Sequence, residues 1–140
     1  MARKTETKVI GGLEYKATAL GAREGAEGLR RIAAKIAAAL GTLRSKDSDV
    51  LPVIAGVAAS LSSEDLVWFC SAFGRVTSVE VVPGSNKRPL VDAVFDEIFS
   101  GDYESMLAFL QMNLELNYGG FFAGALEKLG QSAPKPPATE

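Results

Sequence analysis

The sequence predicts a mainly α protein of α+β character: a small multi-helix domain carrying an N-terminal β-hairpin, with one further short strand as an option. Three observations predict it. Gly11-Gly12 separates two short runs with alternating apolar residues. Apolar residues then recur at helical spacing through most of the chain. A dense aromatic and apolar stretch from Phe95 to Phe122 closes the pattern. At 140 residues the chain is the size of one ordinary domain and can bury its own core. We expect that domain over residues 1–130, followed by a disordered tail.

The hairpin is expected over residues 5–18. Two glycines can both take φ > 0, as a two-residue hairpin turn requires. That turn pairs Ile10 with Leu13 and Lys8 with Tyr15. Leu13, Tyr15 and Ala17 then share one face, with Glu14 and Lys16 on the other. Two strands alone are marginal, so the hairpin must dock on something.

Residues 22–40 read as a long amphipathic helix. Ala22, Ala26, Leu29, Ala33, Ile36 and Leu40 form its stripe, flanked by Ile32 and Ala37, and Gly41 is a natural stop. Gly25 and Gly28 weaken its first turns by up to about 1 kcal/mol each. A polar connection follows over residues 42–49, where Asp49 can cap a helix over 50–61 that has almost no polar face. Such a helix lies in the middle of the domain or makes an oligomer contact.

Ser62-Ser63-Glu64-Asp65 is a helix start, with Ser62 as cap and acids in the first turn. That helix should reach Arg75 and bury Leu66, Phe69, Cys70 and Phe73. Residues 77–82 read as a strand and 83–89 as a loop with a basic tip at Lys87-Arg88. Residues 90–99 read as helical. Asp102 is a candidate cap for the next helix. On its wheel, Glu104, Gln111 and Glu115 fall on one narrow arc, while Met106, Leu107, Phe109, Leu110, Met112, Leu114 and Leu116 cover most of the rest. The helix is therefore central to its own domain, or one side of it receives a partner. Asn117 is expected near its C-terminus, before Gly119-Gly120. Asn113 sits in the apolar arc with no local excuse, and a buried amide left unpaired costs about 1–3 kcal/mol. A last helix is expected over 121–129, and the Pro-rich residues 131–140 as a disordered tail.

No residue set is arranged for chemistry. The chain has no histidine, which removes the commonest general base and metal ligand. No cofactor or metal is expected, and no enzymatic activity. Its one cysteine, Cys70, lies within Leu66-Val67-Trp68-Phe69-Cys70 and reads as a buried, inert thiol suited to a reducing cytoplasm. Asp92, Asp96 and Glu97 cluster on one helix, but without His or Cys nearby they read as a solvated face. Asp47-Ser48-Asp49 has only part of a calcium-loop spacing. The basic cluster Arg30, Arg31, Lys35, Arg44 and Lys46 has no interleaved aromatic platform. With a net charge of −2, the chain does not attract nucleic acid by charge alone. No apolar segment follows the basic N-terminus as in a signal peptide, and the uncharged run over 50–63 is too short to span a bilayer. Neither nucleic acid nor membrane is an expected partner.

One resemblance is carried by packing residues. Val9-Ile10-Gly11-Gly12-Leu13-Glu14-Tyr15 is a hairpin ending in a Tyr-containing strand, followed by a leucine- and alanine-rich helix. Phe95-Asp96-Glu97-Ile98-Phe99-Ser100-Gly101 has the form Phe-Asp-x-x-Phe-x-Gly. Asn117-Tyr118-Gly119-Gly120-Phe121-Phe122 is an Asn-aromatic-x-x-Phe-Phe element. Over roughly residues 7–130 this layout resembles the tail assembly chaperones of long-tailed bacteriophages and prophages. The resemblance implies a non-enzymatic assembly factor in the host cytoplasm. It would coat the tape measure protein, keep it soluble, help bring tail tube subunits and be absent from the finished virion. In many relatives a ribosomal frameshift makes a longer form. A structural protein of the tail or tail tip, and a small nucleic-acid-binding regulator, are the competing expectations. The expected partner-binding residues are Phe95, Phe99, Tyr103, Phe109, Tyr118, Phe121 and Phe122, some of which must be core. A homo-oligomer is also expected, because helix 50–61 and the wide arc of the aromatic helix offer more apolar surface than one small core absorbs.

Overall fold

The computed structural model describes residues 3–42, 50–80 and 88–132. Strands β1 (Thr5–Ile10) and β2 (Leu13–Thr18) form the expected hairpin. Gly11 and Gly12 take φ of 57° and 86°, and the register pairs Ile10 with Leu13 and Lys8 with Tyr15. The hairpin docks by extending a sheet. β2 pairs antiparallel with β3 (Thr77–Glu80), and β3 with the two-residue β4 (Arg88–Pro89), giving the order β1-β2-β3-β4. Tyr15 and Ala17 lie opposite Val79 and Thr77, and all four are buried on one face.

Among the described residues there are also five helices: α1 (Ala22–Thr42), α2 (Val50–Ala59), α3 (Ser63–Arg75), α4 (Asp92–Phe99) and α5 (Tyr103–Ser132). The α3 start is as expected, with the Ser62 hydroxyl accepting from Asp65 N–H at 3.1 Å. Asp102 caps α5 in the same way, its carboxylate accepting from Ser105 N–H at 3.2 Å. Gly101, at φ 77°, makes the left-handed turn between α4 and α5.

The middle of α5 is the centre of the core. Phe109, Leu110, Met112, Asn113 and Leu114 are all buried, and the helix touches β1, α1, α2, α3 and α4. Of the two readings of its wide apolar arc, this stretch fits the central one. Its first turn is different: Tyr103 is two-thirds exposed. Helix α2 buries Val53, Ile54, Val57 and Ala58, while Pro52, Gly56 and Ala59 are exposed, so it is neither wholly central nor a bare apolar rod.

Several expectations need correction. Helix α5 does not stop at Gly119-Gly120 but runs to Ser132 as one 30-residue helix, so no separate helix begins at Phe121. Tyr118 and Phe122, both buried, hold the chain on either side of the glycines. Asn117 is thus a mid-helix residue. Its side chain donates to Asn113 C=O at 2.9 Å and accepts Leu20 N–H at 2.8 Å. Asn113 is satisfied too, donating to Phe109 C=O at 3.0 Å and lying 3.5 Å from the Thr77 hydroxyl.

Helix α1 is rotated relative to its expected stripe. Gly28, Ile32 and Ile36 are buried, whereas Ala22, Ala26, Ala33 and Ala37 are exposed. The close approach uses glycine instead of alanine. A Cβ on Gly28 would overlap the Tyr118 hydroxyl and meet Phe69 Cε1 at 3.0 Å. The helix also continues past Gly41 to Thr42. The loop expected over 83–89 ends in a strand, because Arg88 and Pro89 pair with β3, and the helix expected from Leu90 starts at Asp92, with Leu90 N–H donating instead to Thr77 C=O at 2.9 Å. Helix α2 ends at Ala59, two residues short of Leu61. Asp47-Ser48-Asp49, Arg44, Lys46, the cap at Asp49, residues 81–87 and residues 133–140 lie outside the described residues.

Candidate functional site

The structure separates the seven aromatic candidates into two groups. Phe99, Phe109, Tyr118 and Phe122 are buried. Phe95, Phe99 and Phe109 form a triangle of rings with centroids 4.8, 5.4 and 5.8 Å apart, and Tyr15 stacks on Phe99 at 6.1 Å. These spacings are those of attractive edge and offset contacts. Tyr118 donates its hydroxyl proton to Gly25 C=O at 2.9 Å and so clasps α5 to α1. Phe95 is only partly buried, and Tyr103 and Phe121 are exposed, at 67% and 50%.

Phe95 has a second role, as part of the wall of a cleft of about 550 Å³ between α3 and α4. Leu66, Val67 and Cys70 come from α3, Met106 from α5, and Leu90 and Val91 from the segment entering α4. Arg75 and Asp96 stand at this largely apolar surface with opposite charges. The cleft exists because α3 is drawn tightly against the segment before α4. Gly74 is buried, and any Cβ there would overlap Leu90 O.

Sequence reasoning missed most of this surface. Leu66 and Cys70 were expected in the core but are only partly buried. Val67 is 68% exposed. Its signal was present in the sequence, since it is an apolar residue lying off the stripe of Phe69 and Phe73. Met106 belongs to the wide arc of α5 and faces the cleft. Burial pushes the Cys70 thiol up to about 11, so it is held protonated at neutral pH, the opposite of a reactive thiolate.

Arg30 and Arg31 of the basic cluster have structural partners. Arg31 bonds Asp65 at 2.8 Å and lies 4.7 Å from the centre of the Trp68 ring, tying α1 to α3. Its Nε is 2.9 Å from Glu27, without hydrogen-bond alignment. Arg30 bonds the same Glu27 and holds its carboxyl below the usual carboxylate range. Arg75 pairs with Glu24 across α1 and α3. The basic cluster is therefore partly neutralised in place. Among the described residues, no group of three His, Cys, Asp or Glu is placed to hold a metal ion. Nor, among them, is any single helix long and apolar enough to cross a membrane.

A sequence model of the family described as "Phage tail assembly chaperone protein, TAC" matches residues 11–130. No curated protein and no solved structure matches the chain.

Proposed function

The chain belongs to the phage tail assembly chaperone family, and from that premise we propose that it binds the tape measure protein and keeps it soluble during tail tube assembly. The observation that carries this reading is the cleft between α3 and α4. An amphipathic helix docks by placing side chains at i, i+3/i+4 and i+7 into an apolar groove. Leu66, Val67, Cys70, Phe95 and Met106 offer such a groove, and Met106 supplies adaptable contact area. Arg75 and Asp96 are placed to meet charges on the flanks of the incoming helix. Of the aromatic candidates, Phe95 lines this cleft, and Tyr103 and Phe121 are proposed as further contacts because they are exposed. Phe99 and Phe109 support the Phe95 ring from beneath, while Tyr118 and Phe122 are core residues. In this role the protein acts by binding alone and works in the host cell as an assembly factor. The tail tube protein is the second proposed partner.

The test is co-expression of the tape measure protein with the wild-type chain or with V67E. Wild type should hold the tape measure protein in the soluble fraction and co-purify with it. Val67 is exposed, so V67E should keep its fold and melting temperature yet lose co-purification. Equal co-purification by V67E would remove the cleft from the proposal. A tape measure protein that stays insoluble beside wild type would remove the chaperone reading itself. Mass spectrometry of purified virions separates the remaining alternative, because a structural tail component would be present in fixed copy number.

A further inference from the structure

The sheet has two edges of opposite character. On one side β4 is two residues long and contains Pro89, which cannot donate to a neighbouring strand. Short edge strands and proline are usual ways of closing a sheet edge. On the other side β1 is six residues long, contains no proline, and pairs with β2 residue for residue without a bulge. Among the described residues no strand lies beyond it.

The register defines which groups β1 presents outward. In an antiparallel pair, residues alternate between exchanging both backbone bonds with the partner and directing them away. A two-residue turn makes Ile10 and Leu13 a bonded pair, so Lys8 and Glu6 also bond to β2. The bond from Ala19 N–H to Lys4 C=O, at 2.8 Å, continues the same alternation. Thr5, Thr7 and Val9 therefore direct their N–H and C=O groups to the open side. The charged side chains Glu6 and Lys8 flank Thr7 on the opposite face from these three. Among the described residues neither has an ion-pair partner.

We propose that β1 is a self-pairing edge, on which two copies of the chain join antiparallel about a two-fold axis at Thr7. In this register Thr7 meets Thr7, Thr5 meets Val9, and every outward backbone group of the three residues finds a partner. Glu6 of each copy then stands opposite Lys8 of the other. The neighbouring registers that keep outward groups paired are excluded by charge. Sliding one way sets Glu6 against Glu6, and sliding the other way sets Lys8 against Lys8. Like charges directly opposite are destabilising, and opposite charges stabilising. The self-complementary pattern is what a two-fold interface requires. The product is a continuous eight-stranded sheet, four strands from each copy. This inference is independent of the cleft and of what the cleft binds.

The test is charge exchange read by sedimentation equilibrium, with circular dichroism as the check on folding. Wild type should be a dimer at high micromolar concentration. E6K and K8E each turn two attractive contacts into repulsive ones, and each should raise the dimer dissociation constant about tenfold or more. The double variant E6K/K8E should return it close to the wild-type value. A monomeric wild type, or a dimer indifferent to the single exchanges, would overturn the proposal.

Discussion

The Tyr118 hydroxyl occupies the place where a side chain on residue 28 would begin, and the same hydroxyl bonds the carbonyl of Gly25 one turn earlier. Gly28, which weakens α1 as an isolated helix, thus makes the notch that fixes α5 against it, and Gly25 supplies the carbonyl that Tyr118 bonds. G28A should lower stability by about 1–3 kcal/mol through overpacking, although alanine is the better helix former by about 1 kcal/mol. Y118F, which keeps the ring and loses the hydrogen bond, should cost about 1 kcal/mol. The double variant should cost less than the sum, because the closest overlap is gone. Urea unfolding of all three checks this.

Alkaline pH should act through two tyrosines. Burial, with a smaller contribution from Asp102, pushes Tyr15 up to about 12. Burial, with a smaller contribution from Glu24, does the same to Tyr118. The fold favours the neutral rings, while the unfolded chain ionises near the ordinary value of about 10. Their contribution is therefore complete below pH 10 and is lost as pH rises towards 12. The melting temperature should fall across that window, and fall less steeply in Y118F.

Asn117 should prove to be structural. N117A removes the acceptor of the Leu20 N–H group and the donor to Asn113 C=O. A loss of about 1–3 kcal/mol is expected, seen as a lower urea midpoint at unchanged slope.

The seven aromatic candidates should separate by stability as they do by burial. Alanine at Phe99, Phe109 or Phe122 should cost about 3–5 kcal/mol. Alanine at Tyr103 or Phe121, which are largely exposed, should stay within about 0.5 kcal/mol. Thermal and chemical unfolding of the five variants gives the comparison.

Cys70 reports on the cleft. With its thiol pushed up to about 11, its modification by a disulfide reagent at pH 8 should be slower than in the unfolded chain by roughly a hundredfold or more. A partner helix seated beside Leu66 and Met106 should slow it further. An unchanged rate in the complex would place the partner elsewhere.

Much of this fold was legible because its signals are local. Gly11-Gly12 dictates the hairpin and its register, and Ser62 and Asp102 mark helix starts by the hydrogen bonds they make. The family resemblance rested on packing residues that do pack, Phe99 and Phe122 among them. What escaped depends on contacts distant in sequence. Gly119-Gly120 has the composition of a helix end, but burial of Tyr118 and Phe122 carries the helix through. Asn117 looks like a terminal residue until Leu20, 97 positions earlier, is found bonded to it. The alanine stripe of α1 is real in periodicity, yet the neighbours that decide which side is buried come from α2, α3 and α5. The cleft was illegible for the same reason. Its walls come from three helices, and only the misplaced Val67 announces it.

The helix that centres the core is also made after every other described element. Five earlier elements, β1, α1, α2, α3 and α4, lean on α5. On the ribosome, an N-terminal stretch ending before Tyr103 lacks the helix that these elements close against. Domains fold as units, and contacts between distant segments cannot form before the later one has emerged. The nascent chain should therefore stay protease-sensitive until Phe122 has cleared the exit tunnel and then close in one step. A stalled-ribosome series of increasing length would show protection arriving late and abruptly, not helix by helix.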